Sequence, residues 1–324
     1  MRTLFDILRD NPGNKRTTLL LKINDAINNV LSFGYKACVL AVISNVFAPV
    51  PLPMLTPHSA EIIEQALIKF RADRCEDLYL ILTTLGGDIH FPELLVQKIR
   101  GLGFKRLNTI IPSIAMSAGT LLAVLSDRII GFSSSSIGPI DPQLVVQTPQ
   151  GPRVVSAIAF KRLIEETLPK LAEEKKLGVE GLSRLYIAQD LYLYQEALRS
   201  LDYVKRIVDK YVRPKLETSG GSKYESFLND FLINVESHGK PLSLSKLRDY
   251  GFDVILLDRD EGLGELGNLI VEYHSYVEHA FQFEPPRSPG AVKTLLVGTP
   301  FAEIIEEAVP IMPMALVPGP PTKP

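Results

Sequence analysis

Several features that would assign this chain to a specialised class of protein are missing from its sequence. Its only cysteines, Cys38 and Cys75, lack metal-ligand spacing and are too few for a disulfide framework, which predicts incidental or buried thiols in a reducing compartment. The formal net charge of -2 gives no electrostatic basis for binding nucleic acid or an anionic membrane. The N-terminus has no continuous apolar run, so no signal peptide is predicted.

A membrane-spanning segment and the common cofactor motifs are also absent from the sequence. The longest apolar stretch, residues 37–55, is interrupted by Pro49, Pro51 and Pro53, which favours a buried strand followed by an irregular loop. The three-glycine dinucleotide fingerprint, a P-loop and a metal-ligand pattern are all missing, so we expect no cofactor and no metal. The expected location is the cytoplasm, with recruitment to a membrane left open.

What the sequence does contain is typical of a soluble globular protein. It has 324 residues, of which 46% are hydrophobic and 22% charged. In the first 132 residues, apolar strands alternate with helices, which predicts a mostly parallel sheet flanked by helices on both faces. The predicted strands are 37–44, 78–83, 107–111 and 128–132, and the predicted helices are 17–32, 58–70, 91–99 and 118–125.

The second half of the chain is predicted to be mostly helical, and it has no internal repeat. The predicted helices are 159–176, 185–216, 224–235 and 266–281; a further helix in 240–257 ends at Gly251 before a strand at 253–257. Residues 310–324 contain six prolines and are predicted to form an extended tail.

Three sequence features lie where predicted strands end, which is where α/β sheets place their sites. Gly86-Gly87 follows a buried strand, and a lone pair of this kind is most often a tight turn. Ser117 stands at a strand-to-helix turn, where serine is commonly a helix N-cap, although the N–H of Ala118 beside it is an unpaired helix donor. Asp141 lies in a rigid loop before Pro142, where aspartate often caps a turn.

These three features in this order resemble the Clp-fold serine peptidases. Within them, the chain looks most similar to the serine dehydrogenase proteinase family, which is related to signal peptide peptidase A and the Clp proteolytic subunit. The matching segments are Gly86-Gly87, Pro-Ser-Ile-Ala-Met-Ser-Ala-Gly over 112–119 and Ser-Ser-Ile-Gly-Pro-Ile-Asp-Pro-Gln over 135–143. The resemblance implies a Clp/crotonase-like fold with a peptidase domain over 35–285. An N-terminal helical segment, 1–34, would precede it, and a segment with the proline-rich tail, 286–324, would follow it.

The resemblance also implies roles for particular residues. Ser117 would be the nucleophile, and the N–H groups of Gly87 and Ala118 would form an oxyanion hole. The family order of Ser, Asp and His would make Asp141 the residue that orients His238, the base. Relatives of signal peptide peptidase A use a Ser–Lys dyad instead, for which Lys161 is the candidate if its neighbours bury it. We favour His238 because imidazole titrates near neutral pH unaided.

The predicted function is that of a serine endopeptidase acting on peptides or unfolded protein. Two alternatives remain at this point: a crotonase-like acyl-CoA enzyme, and a non-catalytic Clp-fold scaffold. The Clp proteolytic subunit carries a histidine about where Asp141 stands here, and its absence keeps the scaffold alternative open. The resemblance also implies a homo-oligomer.

Overall fold

A computed structural model describes residues 12–31, 34–48, 54–148, 151–176, 178–187, 191–217 and 222–308. The helices of this part are α1 (Pro12–Val30), α2 (Pro57–Ala72), α3 (Phe91–Gly101), α4 (Ala118–Leu125), α5 (Ala157–Arg162), α6 (Leu168–Glu174), α7 (Val179–Ile187), α8 (Leu191–Tyr211), α9 (Arg213–Glu217), α10 (Ser222–Leu228), α11 (Lys246–Tyr250) and α12 (Gly264–Phe283). The π-helical turns Leu163–Thr167 and Asn229–Ile233 follow α5 and α10.

Twelve strands are present in the same described part, and they form three sheets. They are β1 (Ala37–Ser44), β2 (Asp77–Thr83), β3 (Arg106–Ile111), β4 (Ile114–Ala115), β5 (Arg128–Gly131), β6 (Ser136–Ile137), β7 (Gln143–Thr148), β8 (Gly151–Ser156), β9 (Leu242–Ser243), β10 (Val254–Leu256), β11 (Val292–Gly298) and β12 (Glu303–Ala308). The main sheet has seven strands in the order β10-β5-β3-β2-β1-β11-β12. Its strands from β10 to β1 are parallel, whereas β11 and β12 are antiparallel to their neighbours.

Helices cover both faces of the main sheet, which confirms the predicted mixed α/β architecture. Every residue of β1 is buried, as expected for an inner strand of a parallel sheet. Alternate side chains of β1 enter different cores: Leu40 and Val42 pack in the cluster that includes residues of α2, α3 and α4, whereas Val39 and Ala41 pack in the cluster formed with α1 and α12. Side chains of β2 and β3 alternate between the same two clusters.

Several predicted element boundaries are close to those in the structure, and others are not. Strand β1 and helix α4 have the predicted bounds. The predicted helix over 159–176 is interrupted by the first π turn, and the predicted long helix over 185–216 is divided into α8, α9 and the end of α7. The proline-rich region 310–324 lies outside the described residues. No helix in the described part is both long and apolar enough to span a membrane.

Two β-hairpins of the described residues were not predicted, and one of them completes the main sheet. The β7–β8 hairpin follows the loop of Asp141, and the β11–β12 hairpin pairs with β1 at its outer edge. Lys293 interrupts the apolar pattern of β11; it is buried because Glu284 accepts a 3.2 Å hydrogen bond from its ammonium group. Packing therefore continues across both predicted domain boundaries, since α1 and β11 share a core cluster with β1.

The prediction of two separate thiols was wrong. Cys38 in β1 and Cys75 just before β2 are joined by a disulfide, with their Cα atoms 5.9 Å apart. They are 37 residues apart in sequence, and only the parallel pairing of β1 with β2 brings them together.

Candidate active site

A small three-stranded sheet gathers the segments that carry the predicted site residues. Strand β4 pairs in parallel with β6, and β9 pairs with β6 in the antiparallel direction. The chain leaves β4 toward Ser117 and leaves β6 toward Asp141, whereas it enters β9 from His238. Because β9 runs the opposite way, its beginning lies at the same end of this sheet as the ends of β4 and β6. The two strand exits and the strand entry therefore converge at one edge.

The glycine turn joins the same edge through one isolated bridge. Thr84, which follows β2, pairs with Ala115 in the parallel direction. The Thr84 N–H donates to the carbonyl of Ile114 at 3.0 Å, and the carbonyl of Thr84 accepts from the Met116 N–H at 3.0 Å. These bonds fix the segment that leads to Ser117 against the segment that leads to Gly86.

Ser117 occupies the N-cap position of α4, but it does not act as a cap. Its side chain makes no capping hydrogen bond. Its backbone has φ 51° and ψ -117°, a conformation that a residue with a β-carbon rarely adopts. Strain of this kind is typical of nucleophiles held at a sharp strand-to-helix turn, where the side chain projects from the end of a sheet. The hydroxyl is therefore presented without the bond that the common role of serine at this position would supply.

The close approach of Gly86 to Ser117 requires glycine at this position. Gly86 has φ 121°, and a β-carbon there would lie 2.8 Å from Ser117 Cβ and 3.4 Å from Ser117 Oγ. Thr84 Oγ1 holds the turn by accepting from the Gly86 N–H at 3.0 Å. Thr84 was not identified from the sequence, where a threonine after a strand carries no signal of its own.

The N–H groups of Gly87 and Ala118 take no part in the backbone pairing that surrounds the Gly86–Ser117 contact. Gly87 bridges Leu55, and this pairing uses the carbonyl of Gly86 and the N–H of Asp88, so the Gly87 N–H lies outside it. The Ala118 N–H belongs to the first turn of α4, where a helix has no internal acceptor and its dipole is positive. The Gly87 N–H is therefore left as a possible donor, and the Ala118 N–H has in addition the positive end of the helix dipole behind it.

The structure brings Asp141 and His238 together, although 97 residues separate them in sequence. His238 Nδ1 lies 2.8 Å from Asp141 Oδ1. The Asp141 side chain is fully buried, whereas the His238 side chain retains 25% of its exposure. Because an ionised carboxylate only accepts hydrogen bonds, His238 Nδ1 is the donor, and its Nε2 is then unprotonated in the neutral ring.

Two residues that sequence reasoning missed hold the other oxygen of Asp141. Ser156 Oγ donates to Asp141 Oδ2 at 2.6 Å, and Gln143 Nε2 donates to the same oxygen at 2.9 Å. These donors satisfy a carboxylate that has no access to water. Gln143 ends the loop motif quoted above, but Ser156 lies on the far strand of an unpredicted hairpin and left no local signal.

Contacts around Gly138 link the three segments more closely. Its N–H donates to Thr120 Oγ1 of α4 at 2.9 Å. A β-carbon on Gly138 would lie 2.3 Å from Met116 Cε and 3.7 Å from the Lys240 carbonyl oxygen. Met116, which precedes Ser117, and the loop after His238 therefore both lie close to Gly138, which belongs to the loop that leads to Asp141.

The structure leaves the Lys161 side chain partly exposed, whereas the sequence argument for it as a base assumed burial. Its side chain is 35% exposed and pairs with Glu165 one turn along the helix. Glu165 also accepts a hydrogen bond from Tyr194 at 2.7 Å. Lys161 is thus an ion-paired side chain at the edge of its helix face rather than a fully buried one.

The remaining histidines near the strand ends have other environments. The exposed ring of His90, three residues after Gly87, lies 4.3 Å from the ring of Tyr203 on α8. His274 of α12 is buried, and its Nε2 lies 3.0 Å from Thr83 Oγ1. Burial lowers the pKa of His274 to about 4. Among the described residues, no cluster of three or more His, Cys, Asp or Glu side chains could hold a metal ion.

Comparisons with known proteins give limited information about this site. No protein-family model matches the chain. An uncharacterized protein of Methanocaldococcus jannaschii is 29% identical over 149 residues, which are 46% of this chain and 42% of that protein. A solved structure described as the 1510-N membrane-bound stomatin-specific protease, in a serine-to-alanine mutant form, covers 66% of this chain and 78% of its own at 17% identity, with a TM-score of 0.38. A likeness this weak carries no functional argument.

Proposed function

We propose that this protein is a serine peptidase that cleaves peptide bonds through an acyl-enzyme formed on Ser117. In this proposal His238 is the general base and Asp141 orients it, while the N–H groups of Gly87 and Ala118 bind the oxyanion. The substrate would be a peptide or an unfolded protein. The fold would be of the Clp type, and the active form would be a homo-oligomer.

The observation that carries the proposal is that an uncapped, strained serine and a histidine bonded to a buried aspartate lie at the same end of one small sheet. Capping is the common use of serine before a helix, and Ser117 makes no capping bond. A surface histidine is the common alternative for His238, but its Nδ1 is bonded to a fully buried carboxylate. Each residue thus departs from its ordinary structural role in the direction that nucleophilic catalysis requires.

The proposed reaction divides hydrolysis into two steps. Ser117 Oγ bonds to the carbonyl carbon while His238 Nε2 takes the hydroxyl proton, and the imidazolium is stabilised by Asp141. The resulting oxyanion accepts hydrogen bonds from the Gly87 and Ala118 N–H groups. When the C–N bond breaks, His238 returns the proton to the leaving amine. Water then attacks the ester by the same route and releases the acid.

A fluorophosphonate probe tests this proposal, since it phosphonylates an activated serine without needing the natural substrate. We expect stoichiometric labelling of the wild-type protein and none of Ser117→Ala, with mass spectrometry of the labelled peptide locating the adduct. Ser113→Ala is a matched control, because Ser113 lies four residues before Ser117, on the other side of strand β4. Labelling that persists in Ser117→Ala would contradict the mechanism, and absence of wild-type labelling would favour the crotonase-like or scaffold alternatives.

A further inference from the structure

The Asp141 carboxylate is bonded on both oxygens, and each oxygen has a separate set of partners. Oδ1 faces His238, while Oδ2 accepts from Ser156 and Gln143. Rotation of the carboxylate out of its present plane about the Cβ–Cγ bond would weaken all three bonds. The donors on Oδ2 therefore fix the plane of the carboxylate, and with it the direction in which the other oxygen faces the imidazole.

The two donors on Oδ2 come from opposite strands of one hairpin. Gln143 is the first residue of β7 and pairs in register with Ser156, the last residue of β8. The Ala157 N–H closes this base by donating to the Pro142 carbonyl at 2.8 Å. Pro142 also restricts Asp141 to extended backbone conformations. The open end of the hairpin is thus built around the carboxylate.

The hairpin is itself fixed to the helices that follow it. Leu144 and Val155 lie opposite each other in register and pack against a buried cluster that includes Phe160 and Ala197. The other face of the hairpin presents Val145 and Val154 to solvent. One face therefore anchors the strands, which makes their base a rigid support.

We propose that Gln143 and Ser156, at the base of the β7–β8 hairpin, are positioning residues that hold Asp141 Oδ2 and so direct Oδ1 to His238 Nδ1. This inference rests on the function proposed above and extends it to residues that touch neither the nucleophile nor the base. The hairpin in this arrangement controls the tautomer of His238. With both donors in place, the proton of the neutral ring stays on Nδ1, and Nε2 is free to accept from Ser117.

Two-bond ¹H–¹⁵N NMR of the full chain tests this directly, because ring nitrogen shifts report which nitrogen of His238 carries the proton. We expect the wild-type ring to be in the Nδ1–H form at a pH where it is neutral. In the Gln143→Met/Ser156→Ala double variant, we expect a mixture of tautomers. The rate of fluorophosphonate labelling should fall by about 10- to 100-fold, the loss that misplaced catalytic groups produce.

Matched variants separate positioning from stability. Ser156 Oγ also caps α5, because it accepts from the Ala159 N–H at 3.4 Å, whereas Gln143 has no capping role. If positioning of Asp141 is what matters, Ser156→Ala and Gln143→Met should shift the His238 tautomer to a similar extent. Ser156→Thr keeps a hydroxyl donor and should restore both readouts. Ser275→Ala removes a hydroxyl that donates to the Val271 carbonyl on α12, and it should change neither.

The tautomer measurement also distinguishes failure of this inference from failure of the proposed peptidase. A double variant that keeps the Nδ1–H form would overturn the positioning role, even if its melting temperature or labelling rate fell. If wild-type protein labels with no probe but the double variant loses the Nδ1–H form, the positioning role holds and the peptidase proposal fails.

Discussion

Replacing Asp141 with asparagine should disable the proposed base without removing any side-chain volume. An asparagine can keep the donors Ser156 and Gln143 only if its carbonyl oxygen takes the place of Oδ2. Its amide NH₂ then faces His238 Nδ1, which becomes an acceptor, and the ring proton moves to Nε2. The opposite orientation would set the asparagine NH₂ against the Gln143 NH₂, so the first is favoured.

The size of the effect follows from that change of tautomer. A ring protonated on Nε2 cannot accept the Ser117 proton, and a wrong tautomer of this kind lowers kcat by about 10⁴ in serine proteases. At about 1.4 kcal/mol for each tenfold change in rate, the barrier rises by about 5.5 kcal/mol. The fold should change little, because three hydrogen bonds are retained.

The assay measures the rate of fluorophosphonate labelling at pH 7. Thermal unfolding of the same variant checks that it is folded. Asp253→Asn is the matched control, since Asp253 is an exposed partner of Arg128, and its labelling rate should equal that of the wild type. If Asp141→Asn labels within tenfold of the wild-type rate while folded, then the Asp–His pair does not support the nucleophile and our reasoning is wrong.

Three further outcomes are expected. His238→Ala should abolish fluorophosphonate labelling while Lys161→Met leaves its rate within a few fold, and the reverse result would favour the dyad. Gly86→Ala should abolish labelling and lower the free energy of unfolding by about 1–3 kcal/mol, because φ 121° is strained for alanine; a normal denaturant midpoint would contradict this. His274 has its pKa lowered to about 4 in the fold, so its neutral form stabilises fully above pH 6.5, and that contribution is lost as the pH falls toward 4. In His274→Gln, the free energy of unfolding should therefore fall by about 3 kcal/mol less between pH 6.5 and pH 4 than in the wild type, as measured by denaturant titration. An unchanged pH dependence would refute the role given to His274.

The sequence was informative where local patterns decide the structure. The continuous apolar run of β1 and the small-residue start of α4 are local signals, and both elements were predicted with their observed bounds. The pairing of Asp141 with His238 was anticipated from the resemblance and the order of motifs. Whether two such residues meet is decided by long-range packing, here by the pairing of β6 with β9.

The features that sequence reasoning missed depend on contacts between distant segments. The strained φ of Ser117 is compatible with its neighbour only because Gly86, in another loop, has no side chain. Lys293 makes β11 look like an exposed segment, and its burial depends on Glu284 at the end of α12. The exposure of Lys161 could not be read from the apolar residues beside it, because a long side chain can leave an apolar helix face for solvent.

The position of β11 has a consequence for how the chain folds during synthesis. Ala41 of β1 pairs with Gly298, and Arg16 of α1 forms ion pairs with Glu284 and Glu303. Of the described strands, β1 is made first, and it keeps one unpaired edge until almost all of the described chain has been made. An exposed apolar strand edge is prone to aggregate, so we expect nascent chains that stop before β11 to depend on chaperones.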